Sequence, residues 1–169
     1  FGRFSPEILR VSKSVFDEQR VDAEPRQGKR GGAFCASVAQ DAQPFIMLNH
    51  TDTLRDLMTV AHELGHGMHF ALSSERQTAL SMHAPLALCE VPSTFAELLV
   101  FDRMLAEEPD AATRMALIRQ ELESGFATVF RQTMMVRYEQ DAYGARSEGQ
   151  ALTKDRLGEF WIARNKAYY

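Results

Sequence analysis

Apolar positions recur at helical spacing along most of this chain. Leu54, Leu57, Met58, Ala61, Leu64, Gly65 and Met68 share one face of a run from about Leu54 to Leu72, which predicts an amphipathic helix. Thr53-Leu54-Arg55-Asp56 ahead of it resembles a capping box with Asp in the place of Glu. Upstream, Ser5-Pro6-Glu7 offers a capping hydroxyl, a proline at the first helical position and an acid in the first turn. Ile8, Leu9, Ser12, Val15 and Phe16 then share a face, predicting a helix from Pro6 to about Gln19. Leu86, Leu88, Val91, Phe95, Leu98, Leu99 and Phe101 predict another from Pro85 to about Met104, irregular around Pro92. Met115, Ile118, Leu122, Phe126, Val129, Phe130, Met134 and Tyr138 predict a long core helix starting at Asp110 and reaching about Tyr143. Thr153 caps a last one, with Leu157, Phe160, Trp161 and Tyr168 on its apolar side.

Strand signals are confined to one place. Ala33–Ala39 and Pro44–Asn49 are short β-prone runs joined by Gln40-Asp41-Ala42-Gln43, the length of a hairpin connection. The preceding stretch, Val21 to Gly32, is polar and rich in glycine, and reads as a loop. Ser73 to Ala84 reads as a polar connection. The fold class expected from the pattern is mainly α with a small β-hairpin, and residues 1–169 read as a single segment.

Length and charge narrow the field. The 169 residues suffice for one domain with a sizeable core, and a net charge of −4 gives no basic footprint for nucleic acid or an anionic membrane. No apolar run approaches a membrane span and no N-terminal stretch has the order of a secretion signal, so a cytoplasmic setting is the default expectation. Cys35 and Cys89 lack zinc-knuckle or redox spacing and read as free thiols. The chain starts without methionine and ends on Tyr168-Tyr169 near a helix end, which reads as a piece of a longer protein.

The chemistry sits in His62-Glu63-Leu64-Gly65-His66. On a helix a four-residue step is close to one turn, so both imidazoles project from one face and can reach one metal ion. Glu63 stands about a third of a turn away, beside the ion instead of on it, where it can take a proton from a metal-bound water. Chance would place such a pattern about 0.01 times in a chain with this His and Glu content. The competing reading is two histidines packed on an amphipathic helix. On the following helix, Glu90 and Glu97 are two turns apart and share a face. Glu90 is the candidate third ligand, completing two His, one Glu and a water around one zinc ion, and Glu97 the candidate acceptor for a ligand imidazole. The alternative is a surface-facing Glu90 and an ordinary salt bridge at Glu97.

His69 is displaced along and around the helix from the two imidazoles and is not expected to ligate. His50 and His83 stand alone. The strand edge at Gly32, Ala33 and Phe34 can hold an extended peptide by main-chain hydrogen bonds, the alternative being a plain structural hairpin. Arg26, Lys29 and Arg30 either steer a substrate carboxylate or decorate a solvated loop.

Thr59-Val60-Ala61-His62-Glu63-Leu64-Gly65-His66-Gly67-Met68-His69 and Glu90-Val91-Pro92-Ser93-Thr94-Phe95-Ala96-Glu97 resemble the paired zinc motifs of the thimet oligopeptidase family. Gly28-Lys29-Arg30-Gly31-Gly32-Ala33-Phe34-Cys35 and Phe130-Arg131-Gln132-Thr133-Met134 resemble its oligoendopeptidase F branch. The resemblance implies a zincin-type, mostly helical metallopeptidase core that cleaves short peptides in a deep cleft. It implies zinc on His62, His66 and Glu90, Glu63 as general base, and the strand from Gly32 to Cys35 lying along the substrate. Family members are longer, with a further N-terminal helical region and a C-terminal segment whose His and Tyr side chains hold substrate and the oxyanion. Tyr168 and Tyr169 precede that segment in the family pattern and are not given its role. The reading opposed to a zinc endopeptidase is a zinc-binding fragment that is weak or inert without those regions. A helical interaction domain with no metal is a third.

Overall fold

A computed structural model describes residues 1–168; Tyr169 lies outside the described residues. Among these, the chain forms five helices and three short strands, in two compact units, one of residues 1–107 and one from Glu108 onward. The mainly helical expectation holds.

In the first unit α1 (Pro6–Asp17) starts where Ser5 Oγ accepts the Ile8 N–H at 3.4 Å. α2 (Leu54–Arg76) opens on a complete capping box: Thr53 Oγ1 accepts from the Asp56 N–H at 3.2 Å, and Asp56 Oδ2 accepts from the Thr53 N–H at 3.1 Å. Asp56 also takes the N–H and hydroxyl of Thr51, and these donors hold its carboxyl well below the usual carboxylate range. α2 outruns its expected end by one turn. Gln40 Nε2, on the connection between the second and third strands, donates to the Ser74 and Gln77 carbonyls at 3.2 and 2.6 Å, giving partners to carbonyls the helix end would leave open.

The hairpin forms as β2 (Phe34–Ala36) and β3 (Phe45–Met47), antiparallel, with Cys35 opposite Ile46. The loop expected from Val21 to Gly32 needs correcting at its start: β1 (Val21–Asp22) pairs parallel with β3, giving the order β1-β3-β2. Two residues are too few for a periodic signal, and the pairing is set by tertiary position. Arg20, just before β1, is buried and reaches the Pro44 carbonyl at 2.6 Å and Ser14 Oγ at 2.9 Å, tying α1 to the sheet. β2 is left as an edge.

α2 packs on all its neighbours in this unit. Val15 of α1, Ile46, Leu48 and Leu64 form one buried cluster; Val11, Met68, Ala71 and Ala96 form another with α3 (Leu86–Glu107). The side of α3 that is buried differs from its expected apolar face. Leu86, Leu88, Val91 and Leu98 are exposed, and the buried positions are Ser93 and Ala96. Small residues permit the close approach: a Cβ added at Gly65 of α2 would lie 2.4 Å from the Pro92 carbonyl oxygen and 2.6 Å from Ser93 Cα.

In the second unit α4 (Ala111–Ser147) is capped by Asp110, whose Oδ2 accepts the Thr113 N–H at 2.7 Å. α5 (Lys154–Tyr168) is held to it by a bidentate Arg164–Asp141 pair, both contacts at 2.6 Å, and by Trp161 set edge-on against Tyr138 at 5.5 Å. The core expected along the whole of α4 is realised at Met134 and Ala145, whereas Met115, Leu122, Phe126 and Val129 are exposed. At 1.5 Å per residue α5 spans well under half the length of α4, so it covers only the C-terminal part.

Candidate metal centre

His62 and His66 leave α2 one turn apart, their rings edge to face with centroids 4.7 Å apart. Their Nε2 atoms are separated by 3.1 Å. From α3, Glu90 Oε2 lies 3.4 Å from His62 Nε2 and 3.7 Å from His66 Nε2. Bonds of about 2.0–2.1 Å in a tetrahedral centre put ligand atoms about 3.3 Å apart. The observed triangle brackets that separation, and a point equidistant from its corners lies about 2.0 Å from each. Two imidazoles and one carboxylate therefore suit a single zinc-sized cation with a fourth position open, and the donor set is the borderline N/O mixture zinc takes. The open side has solvent access, Glu90 being 55% exposed.

The surrounding groups orient these three. Glu97 Oε1 is 2.6 Å from His62 Nδ1, leaving Nε2 to face the triangle; this hydrogen bond raises the His62 pKa above its ordinary value against the lowering effect of partial burial. Burial lowers that of His66, whose ring is also hydrogen-bonded to the Cys89 main chain. Ser93, fully buried, has its hydroxyl 2.8 Å from Glu90 Oε2 and 3.0 Å from the Glu90 carbonyl, and fixes the carboxylate. Glu63 is buried beside the triangle. Among the described residues its Oε2 has no hydrogen-bond partner, a main-chain hydrogen bond from Cys35 of β2 reaches its carboxylate, and burial raises its pKa.

His62, Glu63, His66, Glu90 and Glu97 thus come together in one place. Gly32, Ala33 and Phe34 lead into the edge strand, whose Cys35 reaches Glu63 and whose Sγ would touch a Cβ at Gly67 at 3.7 Å. His69 is outside the converging set, its ring stacked on Phe70 at 6.0 Å. His83 meets the edge of Phe70 at 5.7 Å and His50 Nε2 pairs with Asp52 at 3.3 Å. The basic loop is largely spent on internal partners. Arg26 forks onto Asp22 with both contacts at 2.7 Å, and buried Lys29 Nζ donates to the Leu48, Glu24 and Asp22 carbonyls at 2.7–3.0 Å.

Three supporting features escaped the sequence reading: Ser93, Gly65 and the Cys89 main chain. Ser93 was visible three residues after Glu90, the spacing at which a helical side chain reaches back one turn. The other two depend on how closely α2 and α3 approach.

Residues 5–169 match the profile of peptidase family M3. Over 166 residues the chain is 35% identical to oligoendopeptidase F, chromosomal, of Lactococcus lactis subsp. cremoris, covering 98% of this chain and 27% of that protein. It is 30% identical over 163 residues to oligopeptidase PepF of Bacillus subtilis, covering 96% of this chain and 24% of that one. The fold is shared with PZ peptidase A, solved with an inhibitor, at a TM-score of 0.84 and 20% identity over 99% of this chain and 29% of that one. The chain spans about a quarter of the length of the curated relatives it matches. A match to the family profile over residues 5–169, with 35% identity to an oligoendopeptidase F across nearly the whole chain, makes this chain a member of peptidase family M3.

Proposed function

We propose that these residues form the catalytic-core segment of a longer zinc-dependent oligopeptidase that hydrolyses internal bonds of short peptides. The observation that carries this reading is the ligand triangle, with separations of 3.1–3.7 Å, raised from two helices on the margin of an open strand edge. Relatives named as oligoendopeptidases and oligopeptidases point the same way.

In this reading His62, His66 and Glu90 hold one zinc ion. An ion held there would supply Lewis acidity toward the scissile carbonyl and toward water near neutral pH. Glu63 takes the proton from the attacking water and passes it to the leaving amine. Its buried, unpartnered Oε2 is available for this without first breaking a hydrogen bond. Glu97 keeps His62 in the tautomer that offers Nε2, and Ser93 holds Glu90 turned toward the imidazoles. Gly32, Ala33 and Phe34 supply main-chain groups to an extended peptide, so recognition is largely indifferent to side chains.

The test uses a quenched fluorescent peptide with and without chelator, alongside metal analysis. Glu63→Gln should retain one equivalent of zinc and lose about 10²-fold or more in turnover, while His66→Ala should lose the metal. Full turnover by zinc-loaded Glu63→Gln removes the general-base role. A full equivalent of zinc on His66→Ala removes the ligand assignment. Zinc binding with no chelator-sensitive cleavage supports the metal-binding fragment instead.

A further inference from the structure

The loop that feeds the edge strand is held from two sides. Lys29 is buried beneath it and binds main-chain carbonyls of β1, of the residues after it, and of Leu48. On the other side Asn49, two residues past β3, uses one amide group twice: Nδ2 donates to the Arg30 carbonyl at 3.0 Å and to the Gly32 carbonyl at 3.1 Å. Gly32 itself has φ +82°, a conformation that suits glycine and turns the chain into β2.

We propose that Asn49 is a positioning residue for substrate, holding the main chain of residues 30–32 so that the exposed edge of β2 is presented to an extended peptide in one register beside Glu63. This rests on the reading of Gly32, Ala33 and Phe34 as peptide-binding.

The case for function over stability comes from burial. Arg30, Gly31 and Gly32 are all exposed, and beyond the chain neighbours of each glycine no described atom lies within 4 Å of where a Cβ would sit. Ordering three exposed, glycine-rich residues is entropically costly and buries almost no apolar surface. The core beneath is already anchored by Leu48, 1% exposed, and by Lys29. What the two Asn49 bonds gain is a fixed backbone at the entry to an edge whose Cys35 already reaches Glu63. Preordering a binding backbone lowers the cost of binding, so its loss should appear in peptide affinity.

Asn49→Ala and Asn49→Asp separate this from a general structural role. Alanine removes two donors; aspartate sets a carboxylate against two carbonyl oxygens and should be worse. On the zinc-loaded protein we expect KM for an octapeptide substrate to rise about ten-fold for Asn49→Ala and further for Asn49→Asp. Zinc should stay at one equivalent and kcat change by no more than about two-fold, since the Asn49 bonds touch no reacting atom. A second arm measures the Kd of a fluorescein-labelled octapeptide for Glu63→Gln and for Glu63→Gln/Asn49→Asp, and needs no turnover. Unchanged KM and unchanged Kd in the aspartate variants overturn the proposal, as does a joint loss of zinc and kcat. If the unsubstituted chain binds zinc but cleaves nothing, the metal-binding-fragment alternative is supported, and the binding arm still decides whether Asn49 sets peptide affinity.

Discussion

Gly65→Ala tests the claim that the metal triangle depends on how closely two helices approach. The added Cβ would sit 2.4 Å from the Pro92 carbonyl oxygen, 2.6 Å from Ser93 Cα and 2.8 Å from the Pro92 carbonyl carbon, against 3.4 Å for ordinary contact. All three neighbours are backbone, so no side chain can rotate away and α3 must retreat by about 1 Å. Glu90 rides on α3, whereas His62 and His66 stay on α2. Ligand distances tolerate only about 0.2 Å, so zinc affinity should fall about 10²-fold, and a misplacement of about 1 Å costs a comparable factor in rate. Stability of the metal-free protein should fall as well, by no more than the lost zinc-binding energy. Overpacking costs about 1–3 kcal/mol, offset by about 0.5–1 kcal/mol from replacing a mid-helix glycine.

Gly67→Ala is the internal control. It lies on the same helix, next to His66, but its new Cβ would meet Cys35 Sγ and Ile46 Cδ1 at 3.7 Å, an ordinary contact. It should bind zinc like the parent and melt at the same temperature or a few degrees higher. The assay is chelator competition for zinc together with thermal melting of the metal-free proteins. Gly65→Ala and Gly67→Ala with indistinguishable zinc affinities would refute the close-approach argument.

Two further outcomes follow from the same geometry. Ser93→Ala removes the hydroxyl held 2.8 Å from Glu90 Oε2 and should weaken zinc by about 10–100-fold with α3 intact by circular dichroism; unchanged chelator competition would show that Glu90 needs no such support. Burial, with the nearby Glu63 charge adding to it, pushes the Cys35 thiol up to about 12. At pH 8 the folded protein should therefore label slowly at Cys35, about 10³-fold below the denatured chain as judged by peptide mass spectrometry. Because the unfolded thiol ionises first, its contribution to stability declines as pH rises above its ordinary value of 9.0. Rapid native labelling of Cys35 would contradict the burial argument.

The parts legible from sequence were those written in local chemistry. The box Thr53–Asp56 started α2 where it starts, Ser5 and Asp110 capped α1 and α4, and a four-residue His spacing on a helix left little freedom in where the imidazoles point. Glu90 and Glu97 were legible as a pair because two turns of helix align them, and the structure brings both to the His pair.

Tertiary structure decided the rest, because it concerns distances between elements that no local signal encodes. A two-residue strand, β1, exists only because β3 lies beside it. The large apolar residues of α3 suggested its buried side, yet the contact with α2 runs through Gly65, Pro92, Ser93 and Ala96, since only small groups let two backbones come near enough for a carboxylate on one to join imidazoles on the other. Asn49 is an unremarkable residue in the sequence, and only the folding of the glycine loop over β3 gives its amide two carbonyls to hold. Local propensity is set by neighbours in the chain; a binding site is set by what packing brings within a few ångströms.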